Sequence, residues 1–272
     1  MKNTLDIIFL GDIVGRPGRR AAFRYLSEQK ESGTYPDFVI ANVENASHGF
    51  GLTEKNYDEF TGFGIDALTS GNHIWDKKEV FNYIERADRL VRPLNYPKGT
   101  AGNGSVILEA KNGVSIGIVN LLGRVFMAPI ESPWELLREE TEKIKEITPI
   151  VFVDFHAEAT AEKVALGYFA DDLGVSAVVG THTHIQTADE KILKNGTAYI
   201  TDAGFCGSVN GVIGMDVETS LKRLTTCLPQ RYDVAPEGVT EVNGVRISVN
   251  TETGAAQSII RFKEIYDFSE VK

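Results

Sequence analysis

Five short segments of the chain place side chains that can bind metal ions directly after an apparent β-strand. They are Gly11-Asp12, Val43-Glu44-Asn45, Gly71-Asn72-His73, Phe155-His156 and Gly180-Thr181-His182-Thr183-His184. Four of the five histidines in the sequence fall in these segments. Because the carboxyl ends of strands in an open α/β sheet converge on one crevice, side chains far apart in sequence can meet there. The sequence therefore predicts a metal site of carboxylate, amide and imidazole groups.

Each segment taken alone also has an ordinary structural interpretation. The acidic and amide side chains could cap helices or hold loops and turns: Asp12, Glu44, Asn45 and Asn72. A lone His156 is more often a hydrogen-bonded, half-buried residue than a ligand. The pair His182 and His184 is more specific, because side chains two residues apart in an extended segment share one face. The five segments together favour a metal site over the separate structural roles.

The net charge of −10 at pH 7 restricts the partners. A surface this acidic has no basic footprint for a phosphate backbone, so we do not expect long nucleic acid as a partner. An acidic protein that attacks an anionic ester needs a local source of positive charge, which bound cations can supply. Mixed nitrogen and oxygen ligands suit iron, manganese or zinc, whereas an all-oxygen set suits magnesium or calcium.

The apolar runs, the N-terminal sequence and the cysteines indicate the cellular compartment. The longest apolar runs, such as residues 7–10, are far shorter than the about 20 residues that cross a bilayer, and the N-terminus lacks a signal-peptide pattern. The two cysteines, Cys206 and Cys227, belong to no metal-binding or disulfide spacing. We expect a cytoplasmic protein without a membrane partner.

The elements that must position the metal-capable segments alternate along the chain. Strands are predicted at residues 6–10, 38–43, 67–70, 114–121 and 150–155, and helices at 19–31, 53–62, 77–87, 134–147 and 160–171. The sequence also predicts two strands near the end of the chain, at residues 245–249 and 258–262. Ser132, Pro133 and Glu135 have the pattern of a helix start. The alternation predicts one α/β domain over residues 1–272.

The order of the metal-capable segments resembles the calcineurin-type metallophosphoesterase superfamily. More closely, the chain looks like the YmdB-like bacterial phosphodiesterases at residues 11–15, 44–46, 71–76, 154–156 and 179–189. The resemblance runs over nearly the whole chain. It implies a four-layer αββα sandwich of two mixed β-sheets flanked by helices. It also implies a phosphodiesterase whose substrates are 2′,3′- or 3′,5′-cyclic nucleotides.

The resemblance further implies two metal ions, most readily iron, with manganese or zinc as alternatives. Their ligands would be Asp12, Asn45 and His184 for the first metal, Asn72, His156 and His182 for the second, and Glu44 bridging both. His73 would be the catalytic acid. In this hypothesis a water activated by both cations attacks phosphorus. His73, which can be protonated near neutral pH, donates a proton to the departing oxygen.

Two positions depart from the broad superfamily. Val14 stands where many members have a histidine, so we expect Asn45 to replace that ligand. Ile74 stands where many members have an acidic residue that orients the catalytic histidine. Asp76 could orient His73 from a distance, but Asp76-Lys77-Lys78-Glu79 has the pattern of a helix N-cap, which is the interpretation we favour.

Two other functions fit the same residues. A phosphomonoesterase or nucleotidase could use the same metals, and a regulatory protein could keep the site to bind a nucleotide or a partner. The sequence leaves open whether the chain forms a homo-oligomer.

Four further features carry weaker predictions. His48 is expected in a surface loop, and Arg124 could contact a phosphate or form an internal ion pair. Asp202 is expected to support the site structurally. The glycine-rich residues 207–214 could be a lid or a connection.

Overall fold

The computed structural model describes residues 3–269, which form two mixed β-sheets and five α-helices. The first sheet has eight strands: β1 (Thr4–Leu10), β2 (Asp12–Ile13), β3 (Phe38–Asn42), β4 (Ala67–Thr69), β5 (Leu90–Val91), β12 (Phe205–Ser208), β13 (Val239–Asn250) and β14 (Ala256–Asp267). The second has six: β6 (Ser105–Glu109), β7 (Ser115–Leu122), β8 (Val151–His156), β9 (Ala177–Thr181), β10 (Lys191–Ile192) and β11 (Ala198–Ile200). The helices are α1 (Gly15–Glu31), α2 (Glu54–Phe63), α3 (Pro133–Lys145), α4 (Thr160–Asp172) and α5 (Val217–Thr226).

Both sheets are mixed: in the first, the antiparallel strand β13 lies in the interior beside a run of parallel strands, and in the second, the antiparallel strands β6 and β10 form the two edges. The first runs in the order β2-β12-β13-β1-β3-β4-β5, with β14 paired to β13. Strands β1, β3, β4 and β5 are parallel, whereas β13 is antiparallel to β1, β12 and β14. The second runs β10-β11-β9-β8-β7-β6, with β7, β8, β9 and β11 parallel. The parallel strands of a sheet therefore end at one edge, as the site requires.

The two sheets stack face to face, and alternate residues of β1 pack on opposite sides of the first sheet. Ile7 and Phe9 lie in the core between the sheets, where the Phe9 ring stacks on Phe152 of β8 with 5.4 Å between ring centroids. Ile8 belongs to the outer core, which includes residues of α1 and α2. Helices α3 and α4 cover the other face of the second sheet. This four-layer αββα arrangement confirms the predicted fold class.

The helix predicted at residues 77–87 is wrong. Two short 3₁₀ helices, Lys78–Asn82 and Ile84–Arg86, stand there instead. Tyr83 between them has φ −133°, outside the helical range, and its buried hydroxyl donates a hydrogen bond to the carbonyl of Leu52. Anchoring of this ring to another loop overrides the local helical pattern.

The other predicted elements are present with shifted ends. Helix α3 begins at Pro133 as predicted, although the Ser132 side chain makes no capping hydrogen bond. The predicted late strands lie within the much longer β13 and β14. Between residues 3 and 269 no helix is both long and apolar enough to span a bilayer.

Candidate metal centre

Both sheets deliver polar side chains to one rim of the sandwich. The first sheet supplies Asp12 after β1, Glu44 and Asn45 after β3, and Asn72 and His73 after β4. The second supplies His156 at the end of β8 and His182 and His184 after β9. The carboxyl ends of parallel strands position nearly all of these groups, as the sequence predicts.

The centre of this rim is a close cluster of Glu44, His156 and His182. The Nε2 atom of His156 lies 3.1 Å from Glu44 Oε1, 3.0 Å from His182 Nδ1 and 3.1 Å from Asn72 Oδ1. Four potential metal ligands thus meet around one point. Gly71 permits this approach, because a Cβ atom there would overlap Glu44 Oε2 and His156 Nε2.

A buried hydrogen-bond chain fixes the orientation of the His156 ring. Thr181 Oγ1 donates to Asp154 Oδ1 at 2.7 Å and therefore accepts from His156 Nδ1 at 2.9 Å. Asp154 in turn accepts from the hydroxyl of Thr69 and the amide of Asn42. The chain leaves Nε2 as the atom that His156 presents to the cluster, which is how outer partners orient metal-binding imidazoles.

Two buried oxygen atoms beside the cluster lack a hydrogen-bond partner among the described residues. They are Oδ1 of Asp12 and Oδ1 of Asn45. The other polar atoms of these side chains are engaged, since Asp12 Oδ2 accepts from the His182 backbone and Asn45 Nδ2 donates to the Gly49 carbonyl. An unpartnered buried oxygen costs free energy unless something binds it. The donor set therefore fits a site for metal cations.

His182 and His184 do not lie in an extended segment, so that prediction is wrong. Strand β9 ends at Thr181. The backbones of the two histidines have φ values of 99° and 65°, in the left-handed region that residues other than glycine rarely adopt. His184 donates from Nδ1 to the Ile213 carbonyl at 2.9 Å and stacks on Phe205, and its Nε2 has no hydrogen-bond partner among residues 3–269. Both rings still line one cavity together with Glu44. Strained backbone of this kind is often found at functional sites.

The charges of the cluster are strongly interdependent. Burial alone would raise the pKa of Glu44, but the neighbouring His156 and His73 together lower it further than burial raises it. Glu44 correspondingly raises the pKa of His156 against the effect of burial. Burial, aided by the charge of His156, lowers the pKa of His182 to about 3, so His182 is a neutral imidazole able to bind a cation. Burial raises the pKa of Asp12.

The prediction that Asp76 is a helix N-cap is wrong. Its Oδ2 lies 2.9 Å from His73 Nδ1. Glu79, the expected partner in the cap, accepts a hydrogen bond from the backbone N–H of Glu54. A turn closed by the Asp76 N–H to His73 carbonyl bond brings the two side chains together. Asp76 therefore holds the His73 ring with its Nε2 free. Position 76 supplies the acidic partner that Ile74 cannot.

We expect Asp76→Asn to lower kcat about tenfold, because Asp76 orients the His73 ring and a well-positioned general acid contributes about 10²- to 10⁴-fold in total. Metal content should not change. The same substitution introduced into His73→Gln should have no further effect if Asp76 acts through His73. An independent tenfold loss in that background would contradict this role.

Sequence reasoning missed two charged residues that support the site. Glu158 Oε2 lies 3.2 Å from His182 Nε2 and directs the opposite ring nitrogen towards His156. Lys163, buried in α4, donates to the carbonyl of Thr181 and to Asp202 at 2.7 Å each. Glu158 follows a predicted strand and could have been suspected. Nothing in the local pattern of α4 marks Lys163.

The weaker predictions have mixed outcomes. Asp202 supports the site, because it also accepts from the backbone and hydroxyl of Thr183. His48 is an exposed loop residue, as predicted. Arg124 is exposed and lines another cavity; its side chain forms no ion pair among the described residues, and the phosphate contact stays a prediction. Residues 212 and 213, within the glycine-rich segment, form part of the wall of the site cavity.

Replacing Lys163 with Met should lower the free energy of unfolding by about 3–5 kcal/mol, because Asp202 would remain buried without its partner. Urea unfolding followed by circular dichroism measures this loss. The exposed pair of Lys143 with Glu140 provides the control, and Lys143→Met should change stability by about 0.5 kcal/mol or less. Equal effects of the two substitutions would contradict a structural role for the buried pair.

Comparisons with known proteins identify the family to which the chain belongs. The family model described as YmdB-like protein matches residues 8–262. The chain belongs to the YmdB-like family. One relative, the 2′,3′-cyclic-nucleotide 2′-phosphodiesterase of Bacillus subtilis (strain 168), is 49% identical over 257 residues, which cover 94% of this chain and 96% of the relative.

Two solved structures share the fold along almost their whole length. A protein described as a novel phosphatase from Mycoplasma pneumoniae superimposes with a TM-score of 0.89 at 34% identity, covering 98% of this chain and 95% of that one. A hypothetical protein from Thermus thermophilus gives a TM-score of 0.87 at 38% identity, covering 96% and 99%. The YmdB-like fold therefore extends over the same two sheets that form the rim described above.

Proposed function

We propose that this protein hydrolyses cyclic nucleotides at a centre of two metal ions, with His73 as the general acid. Its family and relatives make it a phosphoric ester hydrolase of the phosphodiesterase type. The B. subtilis relative is named for 2′,3′-cyclic nucleotides and for the 2′ bond. We propose the same substrate here, with 3′,5′-cyclic nucleotides as a second class.

The observation that carries the proposal is the pair of unpartnered buried oxygens of Asp12 and Asn45 beside the Glu44, His156 and His182 cluster. The proposed ligands are Asp12, Asn45 and His184 for one ion, Asn72, His156 and His182 for the other, and Glu44 for both. Iron, manganese or zinc suits this mixture of donors. When bound, a pair of cations lowers the pKa of water and neutralises charge on the phosphoryl oxygens.

Proton donation to the leaving group is proposed for a side chain of the protein, His73. The backbone N–H of His73 donates to Glu44 Oε2 at 3.1 Å, which ties the acid to the metal cluster. The His73 side chain is partly exposed, so its Nε2 can reach a substrate. In the proposed reaction this nitrogen donates a proton to the departing 2′ oxygen, and the product is the 3′-monophosphate.

Metal binding provides the first test. Saturating Mn²⁺ should raise the Tm of protein purified with a chelator by about 5 °C or more, because a ligand at about 100 times its Kd stabilises by about 2.7 kcal/mol. Asp12→Ala should show less than half of that shift. An unchanged Tm of the parent protein would contradict the proposed centre.

Turnover provides the second part of the experiment. The metal-loaded protein should convert 2′,3′-cyclic AMP to 3′-AMP and should leave linear AMP unchanged over the same period. Faster hydrolysis of linear AMP would replace the proposal with the phosphomonoesterase alternative. Metal binding without any turnover would favour a regulatory role.

A further inference from the structure

A cavity of about 290 Å³ opens directly from the proposed metal centre. One side of it carries Glu44, Asn45, His73, His182 and His184. The other side is mostly apolar and includes Phe50, Ser220 and Tyr232. The first side accounts for a phosphate, but the second has no role in the proposed chemistry.

Two aromatic rings dominate the second side. The ring of Phe50 packs edge-on to His73 with 4.8 Å between centroids and lies 6.3 Å from the ring of Tyr232. The guanidinium of Arg223 packs over the Tyr232 ring, 4.6 Å from the ring centroid. Because Phe50 contacts His73, this side of the cavity adjoins the proposed position of the phosphate. Flat aromatic faces suit a planar heterocycle, which every nucleobase provides.

One polar atom lines the apolar side without a partner. Ser220 in α5 is 1% exposed, and its hydroxyl makes no hydrogen bond to any residue between 3 and 269. A helical serine commonly donates to the carbonyl four residues back. That carbonyl, of Asp216, already accepts from the backbone of Ser220 and from the Thr219 hydroxyl. The Ser220 hydroxyl thus has no partner among residues 3–269 and belongs to a residue that lines the cavity.

We infer that the space between Phe50, Tyr232 and Ser220 is the nucleobase subsite of the enzyme. This inference rests on the proposed function, which places the cyclic phosphate at the metal centre. Stacking on the rings positions the base, and the Ser220 hydroxyl bonds to its edge.

The side chains of the proposed subsite also determine how strongly the enzyme discriminates between nucleobases. A hydroxyl can donate to a carbonyl or ring nitrogen and can accept from an amino group, so Ser220 suits every base. Strong discrimination would need several fixed donors and acceptors that leave a wrong base unpaired. The subsite therefore accepts purines and pyrimidines with kcat/KM values within about tenfold of each other.

Kinetics with matched substrates tests the subsite. The substrates are 2′,3′-cyclic AMP, 2′,3′-cyclic CMP and 1-O-methylribose 2′,3′-cyclic phosphate, which lacks a base. Tyr232→Leu should lower kcat/KM for both nucleotides about tenfold, since one stacking contact is lost. Ser220→Ala should lower it about threefold through one lost hydrogen bond. Neither variant should change turnover of the base-free substrate by more than about twofold, because neither residue is proposed to touch the phosphate.

Ser208→Ala is the matched control. Ser208 in β12 is also 1% exposed and has no hydrogen-bond partner for its hydroxyl among the described residues, but it does not line the cavity. Its replacement should leave all three kcat/KM values unchanged. Equal losses for the base-free substrate and the nucleotides would overturn the inference, as would base-free turnover equal to that of cyclic AMP.

A binding measurement separates this inference from the proposed function. Adenosine has no phosphate, so its titration into the metal-free protein by calorimetry reports on the subsite alone. Binding that Tyr232→Leu weakens and Ser208→Ala does not would support the subsite, even if no nucleotide were hydrolysed. No binding of adenosine at millimolar concentration would overturn it, even if the protein hydrolysed cyclic AMP.

Discussion

Glu44→Gln should lower kcat/KM for 2′,3′-cyclic AMP by about 10³-fold or more. The Glu44 carboxylate is buried, contacts His156 Nε2 through Oε1 and accepts from the His73 backbone through Oε2. Replacing it with a neutral amide of the same shape removes the negative charge that would face both cations. Several kcal/mol of transition-state stabilisation depend on those cations, and each 1.36 kcal/mol corresponds to tenfold in rate.

The same variant should also lose metal. Elemental analysis should find about two ions per chain in the parent protein and fewer than one in Glu44→Gln, because each ion would lose a charged ligand. Glu54→Gln is the control: it removes an exposed carboxylate paired with Arg86 and should keep both metal and activity. Full metal content with normal turnover in Glu44→Gln would show that Glu44 is no ligand.

His73→Gln should lower kcat about 10²- to 10⁴-fold while both metals stay bound, since the imidazole is proposed as a proton donor and not as a ligand. The loss should depend on the leaving group. A p-nitrophenyl phosphodiester, whose departing oxygen needs little protonation, should be hydrolysed with a much smaller loss. Cyclic AMP should show the full effect.

The two substrates measured side by side isolate proton donation from binding. An equal loss for both would mean that His73 positions the phosphate and does not protonate the leaving oxygen. Near-normal turnover of cyclic AMP by a His73→Gln protein with both metals would contradict the assignment altogether.

Much of the metal centre was predictable because it depends on strand ends. Asp12, Glu44 and His156 each follow an apolar run, and parallel strands must bring such positions to one edge. The fold class follows from the same alternation together with the family resemblance. Neither inference needs the details of side-chain packing.

Features that depend on packing between distant segments were not predictable. Asp76 has the local pattern of a helix cap, but the turn at His73 diverts its carboxylate to the imidazole. Lys163 donates a hydrogen bond to Asp202, which lies 39 residues further along the chain. His182 adopts a left-handed backbone that no local pattern indicates, because its position is set by contacts with His156 and Glu158.

The proposed base subsite shows the same limit. Phe50, Ser220 and Tyr232 come from three separate parts of the chain, and none carries a recognisable motif. They meet because α5 and the segment after it fold over the rim formed by the strand ends. Only the tertiary structure reveals that this apolar wall adjoins His73.

The position of bound cations tests the central claim most directly. Anomalous diffraction from crystals soaked in Mn²⁺ should show two peaks about 3.5–4 Å apart, both adjacent to the Glu44 carboxylate. One peak should lie beside the free oxygens of Asp12 and Asn45 and the other beside His156 Nε2. A single peak, or two peaks in separate places with Glu44 contacting only one, would contradict a shared dinuclear centre.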